Sequence, residues 1–576
     1  MVHDMRGVHV VTTSRTYKGK TYKSHLLRRS FREHGKVRKE TVANLSSLGD
    51  QIVELIRRAL RGEQLLSPSA LFEKSRTLLH GHVLAVLTAI ERVGLDTLIS
   101  AKSCRERSLV LAMIVARLLE ADSKLGATRW FKDTTLPQLL NLGEVDEDDL
   151  YAAMDWLLER QRRIEKKLSA RHLKGGDLVL YDLTSSYFEG DKCPLAELGH
   201  NRDGKKGKLQ VNYGMLADRG GRPISVSVFS GSTSDSTTLL GQVEKARAEF
   251  GLESLVLVGD RGMITGKQIS ALKEIAGCGW VTALRSEAIR KLVEGGAIQL
   301  GLFDERNLFE IVHEDYPGER LVACRNPELA KLRTHKRESL IAATKKELEK
   351  VRGMAGKGKL KSAAAIGVRV GKVVNKYKVA KHLELDVRED GFDFAVDERS
   401  VAAEAALDGI YVVRTSLPPQ SMEASEAVRT YKSLSAVERT FRSLKSIDLL
   451  VRPIRHWTEE RVRAHIFLCL LAHYVEWHMA EAWRGLLFSD EDQEAKRTRD
   501  PVAPARRSRD ALLKAATRET GDGNEVHSLR TLLHHLSTIT RDVCRCFGGG
   551  EATFTVDTTP TPYQRRALDL LKEIRV

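Results

Sequence analysis

Residues 178–186 read Leu-Val-Leu-Tyr-Asp-Leu-Thr-Ser-Ser, and residues 255–262 read Leu-Val-Leu-Val-Gly-Asp-Arg-Gly. Both are short apolar runs of the kind that form buried strands. Each carries one carboxylate, Asp182 inside the first run and Asp260 at the end of the second. A charge within a buried strand is costly without a partner, and strand ends are where α/β sheets build sites. Taken singly, either aspartate is equally well a cap or half of a structural ion pair.

Outward from these runs, the pattern changes at Gly175-Gly176. It predicts strands over Asp177–Phe188, Lys208–Ala217 and Pro223–Ser230, and a helix over Ser236–Phe250. A strand over Ser254–Gly259, a helix over Lys267–Ala276 and a strand over Trp280–Arg285 follow. Three strands, then helix, strand, helix and strand, is the order of an RNase H-like α/β core. From about residue 289 to 405 the rhythm breaks. A hairpin across Tyr316-Pro317-Gly318, a charged helix Pro327–Arg352, a Gly/Lys loop, a second helix and two strands around Asp390-Gly391 read as a mixed α+β insertion. Gly409–Thr415 resumes the core, followed by a long helix Ser425–Ile447 and helices through His456–Arg484.

The long helix holds Tyr431-Lys-Ser-Leu-Ser-Ala-Val-Glu-Arg-Thr-Phe-Arg-Ser-Leu-Lys445. Tyr431, Glu438 and Lys445 stand seven residues apart, nearly two turns, so an unbroken helix projects them from one face. Alone, this is an ordinary amphipathic helix packing Leu434, Val437, Phe441 and Leu444. With the two aspartates it becomes a third carboxylate for phosphoryl transfer. Mg²⁺ prefers carboxylate oxygen, uses few protein ligands and shares its shell with water and phosphate. Two such ions can activate a hydroxyl and stabilise a leaving oxygen in line. Asp182, Asp260 and Glu438 are the expected catalytic and metal-holding residues, with Mg²⁺ (two ions, Mn²⁺ in its place) the expected cofactor.

The chain has 576 residues, 30% of them charged, and a net charge of +16. Residues 1–40 hold 11 Lys/Arg against Asp4, Glu33 and Glu40; residues 331–381 hold 16 against Glu338, Glu347 and Glu349. These segments carry +8 and +13, leaving −5 elsewhere. Such concentration suits a polyanion, because each phosphate contact releases condensed counterions. The longest apolar stretches, Leu109–Ala116 and Ile466–Ala472, are too short to span a bilayer. Seven scattered cysteines suggest no disulfide framework, and the pair Cys544/Cys546 is a poor zinc signal. A cytoplasmic location is expected, with no membrane partner.

These motifs resemble the DDE class of bacterial insertion-sequence transposases, in the IS-four-like superfamily and its IS-sixteen-thirty-four branch. Glu438, Tyr431 and Lys445 match the spacing of that superfamily's Tyr-x2-Arg-x3-Glu-x6-Lys signature, although Leu434 stands where the signature has Arg. Asp260-Arg-Gly-Met is similar to the branch's second-aspartate motif, and Tyr181-Asp182-Leu-Thr to its first. Gly231-Ser-Thr-Ser-Asp-Ser-x-Thr and Glu460-Arg-Val-Arg-Ala-His-Ile extend the likeness, which covers about residues 10–480. The resemblance implies cleavage, attack by the freed 3′-OH on target DNA, a homo-oligomer (a dimer is expected) on terminal inverted repeats, and nucleoid association.

The expected organisation is a basic arm and small β element (1–62), a helical DNA-end-binding domain (63–174), the core in two parts (175–288 and 406–484), the basic insertion (289–405), and a C-terminal region serving oligomerisation (485–576). That last region reads as flexible from residue 489, with one or two terminal helices. Tyr431, Arg442, Lys445, Arg285 and Arg261 are the expected DNA contacts. Each has an ordinary alternative: packing for Tyr431, surface charge for Arg442, Lys445 and Arg285, and a carboxylate pair for Arg261. Trp280 could wedge between bases or sit in the core, and His200, His456, His465 and His473 are proton-transfer candidates by residue type alone. Two functional alternatives share the chemistry: a nuclease without strand transfer, and an inactive DNA-binding derivative. A carboxylate-based glycosidase has no use for the two basic segments.

Overall fold

The computed structural model describes residues 7–63, 72–503, 506–546 and 553–576. Asp4 and Arg6 of the basic run and Pro504 lie outside the described residues, as does the side chain of Cys546. The chain divides into two compact units, Met1–Leu78 with Arg541–Thr558, and Leu79–Thr540 with Thr559–Val576.

The larger unit is a mixed α/β structure around one eight-stranded sheet. Its strands in chain order are β1 (Leu178–Tyr187), β2 (Gln210–Ala217), β3 (Pro223–Ser230), β4 (Leu255–Val258), β5 (Cys278–Ala283), β6 (Leu308–Ile311), β7 (Arg320–Arg325) and β8 (Ile410–Thr415). They lie in the order β6-β7-β8-β5-β4-β1-β2-β3. Strands β1, β2 and β3 form an antiparallel meander, while β4 runs parallel to β1 and β5 parallel to β4. Every residue of β2 and β4 is buried, as expected of sheet interiors covered on both faces.

Helices α1 (Asp235–Ala248) and α2 (Gly266–Lys273) connect β3 to β4 and β4 to β5. After the insertion helices α3 (Pro327–Gly356) and α4 (Ala363–Tyr377), the chain forms α5 (Ala424–Lys432), α6 (Leu434–Arg442) and α7 (Glu459–Ala482). Helix α7 is apolar nearly all round, burying 16 of its 24 residues, which marks a core helix rather than a surface one. It packs on β3 and against the upstream helices Arg105–Leu119 and Glu147–Leu158.

The structure departs from the sequence expectations in four places. The hairpin expected inside the insertion belongs to the main sheet: β7 pairs with β8 from Arg320↔Thr415 to Arg325↔Ile410. What projects is α3, α4 and the strand pair Leu383–Val387/Phe392–Val396, with a small core of its own around Leu348, Val351, Ile366, Val370 and Phe392. The helix expected over Ser425–Ile447 is three pieces, α5, α6 and a π turn over Ser443–Ile447, because the chain breaks at Ser433 and widens after Arg442. Residues 489–576 carry more order than expected: helices Gln493–Thr498, Arg509–Thr517 and Leu529–Ser537 precede the terminal helix Pro562–Lys572, whose Ala567 carbonyl accepts from Trp483 Nε1 at 2.8 Å. Lastly, Phe72–Leu79 is a strand, in a sheet with Thr540–Cys546 and Thr553–Asp557. Its partners lie over 460 residues away, so no local periodicity could announce it.

The smaller unit also holds a three-stranded antiparallel sheet, Val8–Tyr17, Lys20–Glu33 and Lys36–Asn44, with the helix Asp50–Leu60 packed on one face.

Candidate active site

Strand register sets the first two acids side by side. Strands β1 and β4 pair as Leu178↔Val256, Val179↔Leu257 and Leu180↔Val258. Asp182 and Asp260 each lie two residues past the last of these pairs, Asp182 within β1 and Asp260 just beyond the end of β4, close enough for the Asp260 charge to act on Asp182. The chain turns at once, with the Met263 and Ile264 amides donating to the Asp260 carbonyl at 2.9 and 3.0 Å. Side chains of β1 alternate between faces. Tyr181 points to the α1 side, where its hydroxyl donates to Thr238 Oγ1 at 2.9 Å. Asp182 shares the opposite face with Thr184, whose cross-strand partner Tyr213 meets Phe441 of α6 edge-on at 5.9 Å.

Phe441 and Glu438 lie three residues apart on α6 and share one helix face, so the contact that seats Phe441 also carries Glu438 over the aspartates. The β2–β3 turn makes room for α6. Gly221 has φ +81°, and a Cβ there would stand 2.6 Å from the Ala436 Cβ, a position that suits only glycine. Thr440 Oγ1 donates to the Gly221 carbonyl at 3.3 Å.

Electrostatics link the three acids. Asp182 is half-buried and its carboxyl is pushed up to about 7, first by burial and further by the charges of Asp260 and Glu438, against the Leu183 amide and Arg202. Asp260 and Glu438 are exposed. The Tyr431 hydroxyl donates to Asp260 Oδ1 at a long 3.4 Å. Burial, then Asp260, pushes the Tyr431 phenol up to about 12, with Arg261 opposing. Arg261 thus neighbours Tyr431 and is exposed, as are Arg285, at the start of the helix Ser286–Glu294, and Arg442.

Lys445 lies elsewhere than expected. It is buried, and Nζ donates to Asp203 Oδ1 at 3.0 Å; Arg452 pairs with the same oxygen, and the Tyr187 amide donates to Asp203 Oδ2 at 3.0 Å. The π turn re-aims it, so spacing measured on an ideal helix misplaces it. Its neighbour Arg202 binds both carboxylate oxygens of Asp235, in the 231–238 motif, and lies close enough to Asp182 to oppose its rise. Sequence reading missed Arg202, Asp203 and Arg452; only Asp235 stood in a flagged motif. Leu434, where the signature has Arg, is a buried core residue.

The remaining candidates have structural partners. Trp280 is buried and its Nε1 donates to Glu319 Oε2 at 3.1 Å, so it is no base wedge. His473 joins Glu476 (Nδ1, 2.7 Å) and Thr440 (Nε2, 3.1 Å), and Ser443 Oγ donates to Glu476 at 2.8 Å. This buried network braces the α6–π segment from behind. His465 Nε2 lies 3.2 Å from the Val451 carbonyl and its ring 4.9 Å from His456; burial drives both imidazoles down. His200 is exposed. Among the described residues, the contacts of these four histidines are with groups other than the three acids.

Among the described residues, no three or more His, Cys, Asp or Glu side chains close into a ready-made metal cage. The donor set nevertheless fits hard divalent ions. A cation would relieve the crowding of negative charge on Asp182 by Asp260 and Glu438, and Mg²⁺ needs few protein oxygens because water and phosphate fill its shell.

Residues 174–475 match the family described as the transposase DDE domain, and residues 10–70 match the N-terminal domain of IS1634 family transposases. Among solved structures, a piggyBac transposase synaptic complex with hairpin DNA is similar with a TM-score of 0.33 and 9% identity, over 79% of this chain and 76% of that one. No curated protein matches the chain.

Proposed function

Because the chain belongs to the transposase DDE-domain family as an IS1634-like member, we propose that it cuts DNA at the ends of an insertion sequence and joins the freed 3′ ends to target DNA. One observation carries this reading: Asp182 on β1, Asp260 just past the end of the adjacent parallel strand β4, and Glu438 on α6 come close enough together that the other two charges act on Asp182. The order β3-β2-β1-β4-β5, with the first three antiparallel and the next two parallel, supports an RNase H-like core.

Asp182, Asp260 and Glu438 hold two Mg²⁺, or Mn²⁺, between them. Bound there, the ions would supply an activated hydroxyl and charge neutralisation at the reacting phosphate. Asp182 keeps a proton near neutral pH until positive charge arrives. Tyr431 steadies Asp260 through its hydroxyl, and Arg261, Arg285 and Arg442 meet the DNA backbone. Lys445 acts through Asp203, fixing the end of the Glu438-bearing segment, rather than on a phosphate. The segment 63–174 contributes to end binding, 485–576 to a homodimer, and the protein works in the bacterial cytoplasm on the nucleoid. Among the described residues no helix is long and apolar enough to cross a membrane.

The test is metal-dependent cleavage and joining of DNA carrying the element's ends. Asp182→Ala, Asp260→Ala and Glu438→Ala should each lower joining by at least about 1000-fold, the loss of several kcal/mol of transition-state stabilisation. Cleavage without any joining would leave a nuclease, and undiminished joining in any one variant would refute the site.

A further inference from the structure

The three-stranded N-terminal sheet sorts its charges by face. Antiparallel partners point the same way, so the registers assign each residue to a side. One side carries Val10↔Leu27, Thr12↔His25, Ser14↔Lys23, Arg29↔Glu40, Phe31↔Arg38 and Glu33↔Lys36. The helix Asp50–Leu60 covers the part of this side around Thr12, Lys23 and His25: Asp50 accepts from Lys23 Nζ at 2.8 Å and lies 3.0 Å from His25 Nε2, and Arg57 donates to Thr12. Both acids of the strands, Glu33 and Glu40, lie here too.

The other side carries His9↔Arg28, Thr13↔Ser24, Arg15↔Tyr22, Tyr17↔Lys20, Ser30↔Lys39 and Arg32↔Val37. It holds five permanent cations and no carboxylate. Among the described residues, none of Arg15, Lys20, Arg28, Arg32 and Lys39 has an ion-pair partner. Tyr17 and Tyr22 are each 59% exposed beside the Lys18-Gly19 turn. The nine strand cations divide five to four between the two faces, so what distinguishes this face is that its cations share it with no strand acid. Unpaired cations interspersed with tyrosines and hydroxyls make a surface complementary to a polyanion with readable edges.

The dimensions select the ligand. From Thr12↔His25 to Tyr17↔Lys20 the first two strands pair without the third, as a two-stranded ribbon about 4.8 Å between strand axes. The major groove of B-DNA is about 12 Å wide and admits such a ribbon, whereas the minor groove, about 6 Å wide, does not. We propose that this open face docks in the major groove of duplex DNA, with Arg15, Lys20, Arg32 and Lys39 on phosphates and the Tyr17/Tyr22 turn at base edges. The inference rests on the proposed action on DNA and assigns a second DNA surface, in the smaller unit.

The test uses the full chain, a short duplex carrying the flanking inverted repeat, and a scrambled duplex of equal length. Binding is followed by fluorescence anisotropy across a salt series. An open-face variant (Arg15→Gln, Arg32→Gln, Lys39→Gln) is compared with a control on the face that carries the acids (Arg29→Gln, Lys36→Gln, Arg38→Gln), each checked by thermal melting; single substitutions replace any triple that does not fold. The open-face variant should lower the slope of log K against log salt by about 2 to 3, near 0.9 per lost phosphate contact, and the control by less than about 1. Methylation of guanine N7, a major-groove atom, should block binding of the unaltered protein. Equal slopes for both variants, or interference confined to minor-groove adenine N3, would overturn this surface while leaving strand joining intact. Failure of the unaltered protein to bind any duplex would instead sink the proposed function itself.

Discussion

The two ends of the segment Tyr431–Lys445 share one sequence pattern and have different surroundings. At the first end, Tyr431 reaches Asp260 and Glu438 stands exposed over the aspartates. At the other, Lys445 is buried against Asp203, with Ser443 held by Glu476 behind it. Even spacing implies a shared face only while the helix is continuous, and this one breaks at Ser433 and widens at Ser443. The open end is built to meet a ligand; the closed end is built to hold the open end still. Variants at the first should therefore change rate, and variants at the second should change stability.

The largest effect is expected at the closed end. Asp203→Ala strands Lys445 and Arg452 without their shared carboxylate, and breaking such a buried pair costs about 3–5 kcal/mol. Urea unfolding should report this, and adding Lys445→Met should restore part of it; an unchanged midpoint would make the closed end merely decorative. Next comes Gly221→Ala, which combines a positive φ with a 2.6 Å approach to Ala436. A stability loss of about 2 kcal/mol should accompany a larger drop in joining, since the shift displaces Glu438; a rate change matching the stability change alone would separate Gly221 from the site.

A third prediction concerns pH. In the fold Asp182 keeps its proton up to about pH 7, whereas its ordinary value is 3.8. Between these values the folded state binds more protons than the unfolded one, so this group's contribution to stability falls as pH rises from about 4 to 7 and stays low above. Asp182→Asn should therefore melt higher than the parent at pH 8 without divalent ions, and equally near pH 4, while losing joining. An Asp182→Asn melting point below the parent's at pH 8 would contradict the strain assigned to this carboxyl. The smallest effect belongs to Tyr431→Phe. Its 3.4 Å contact with Asp260 is long for a hydrogen bond, so joining should fall less than about tenfold with no shift in melting.

Much of the site was legible because its cause is local. Asp182 and Asp260 stand out as charges in apolar strands, and Glu438 stands out by spacing and family likeness. Lys445 was misread because a π turn leaves no mark in a hydrophobic pattern. Arg202 and Asp203 lie in an irregular loop, and Arg452 over 200 residues further on, so their meeting with Lys445 exists only in three dimensions. The β6–β7 hairpin was recognised as a hairpin but assigned to the insertion, since sheet membership depends on a partner, β8, some 90 residues later. The two basic segments read alike in sequence. In the structure the N-terminal one keeps both strand acids, Glu33 and Glu40, on one face and leaves five cations on the other, whereas α3 spends several cations on neighbouring acids, as in Lys350–Glu347, Arg352–Glu349 and the buried Arg337–Asp408 pair.

The shared metal site of Asp182, Asp260 and Glu438 is tested most directly by replacing each with cysteine and measuring joining of end-bearing DNA in Mg²⁺ and then in Mn²⁺. Thiolate is a poor ligand for Mg²⁺ and a better one for the softer ion. Each variant should be inactive in Mg²⁺ and at least one should regain joining in Mn²⁺; full Mg²⁺-supported joining by any of the three, or no difference between the ions in all of them, would contradict the assignment.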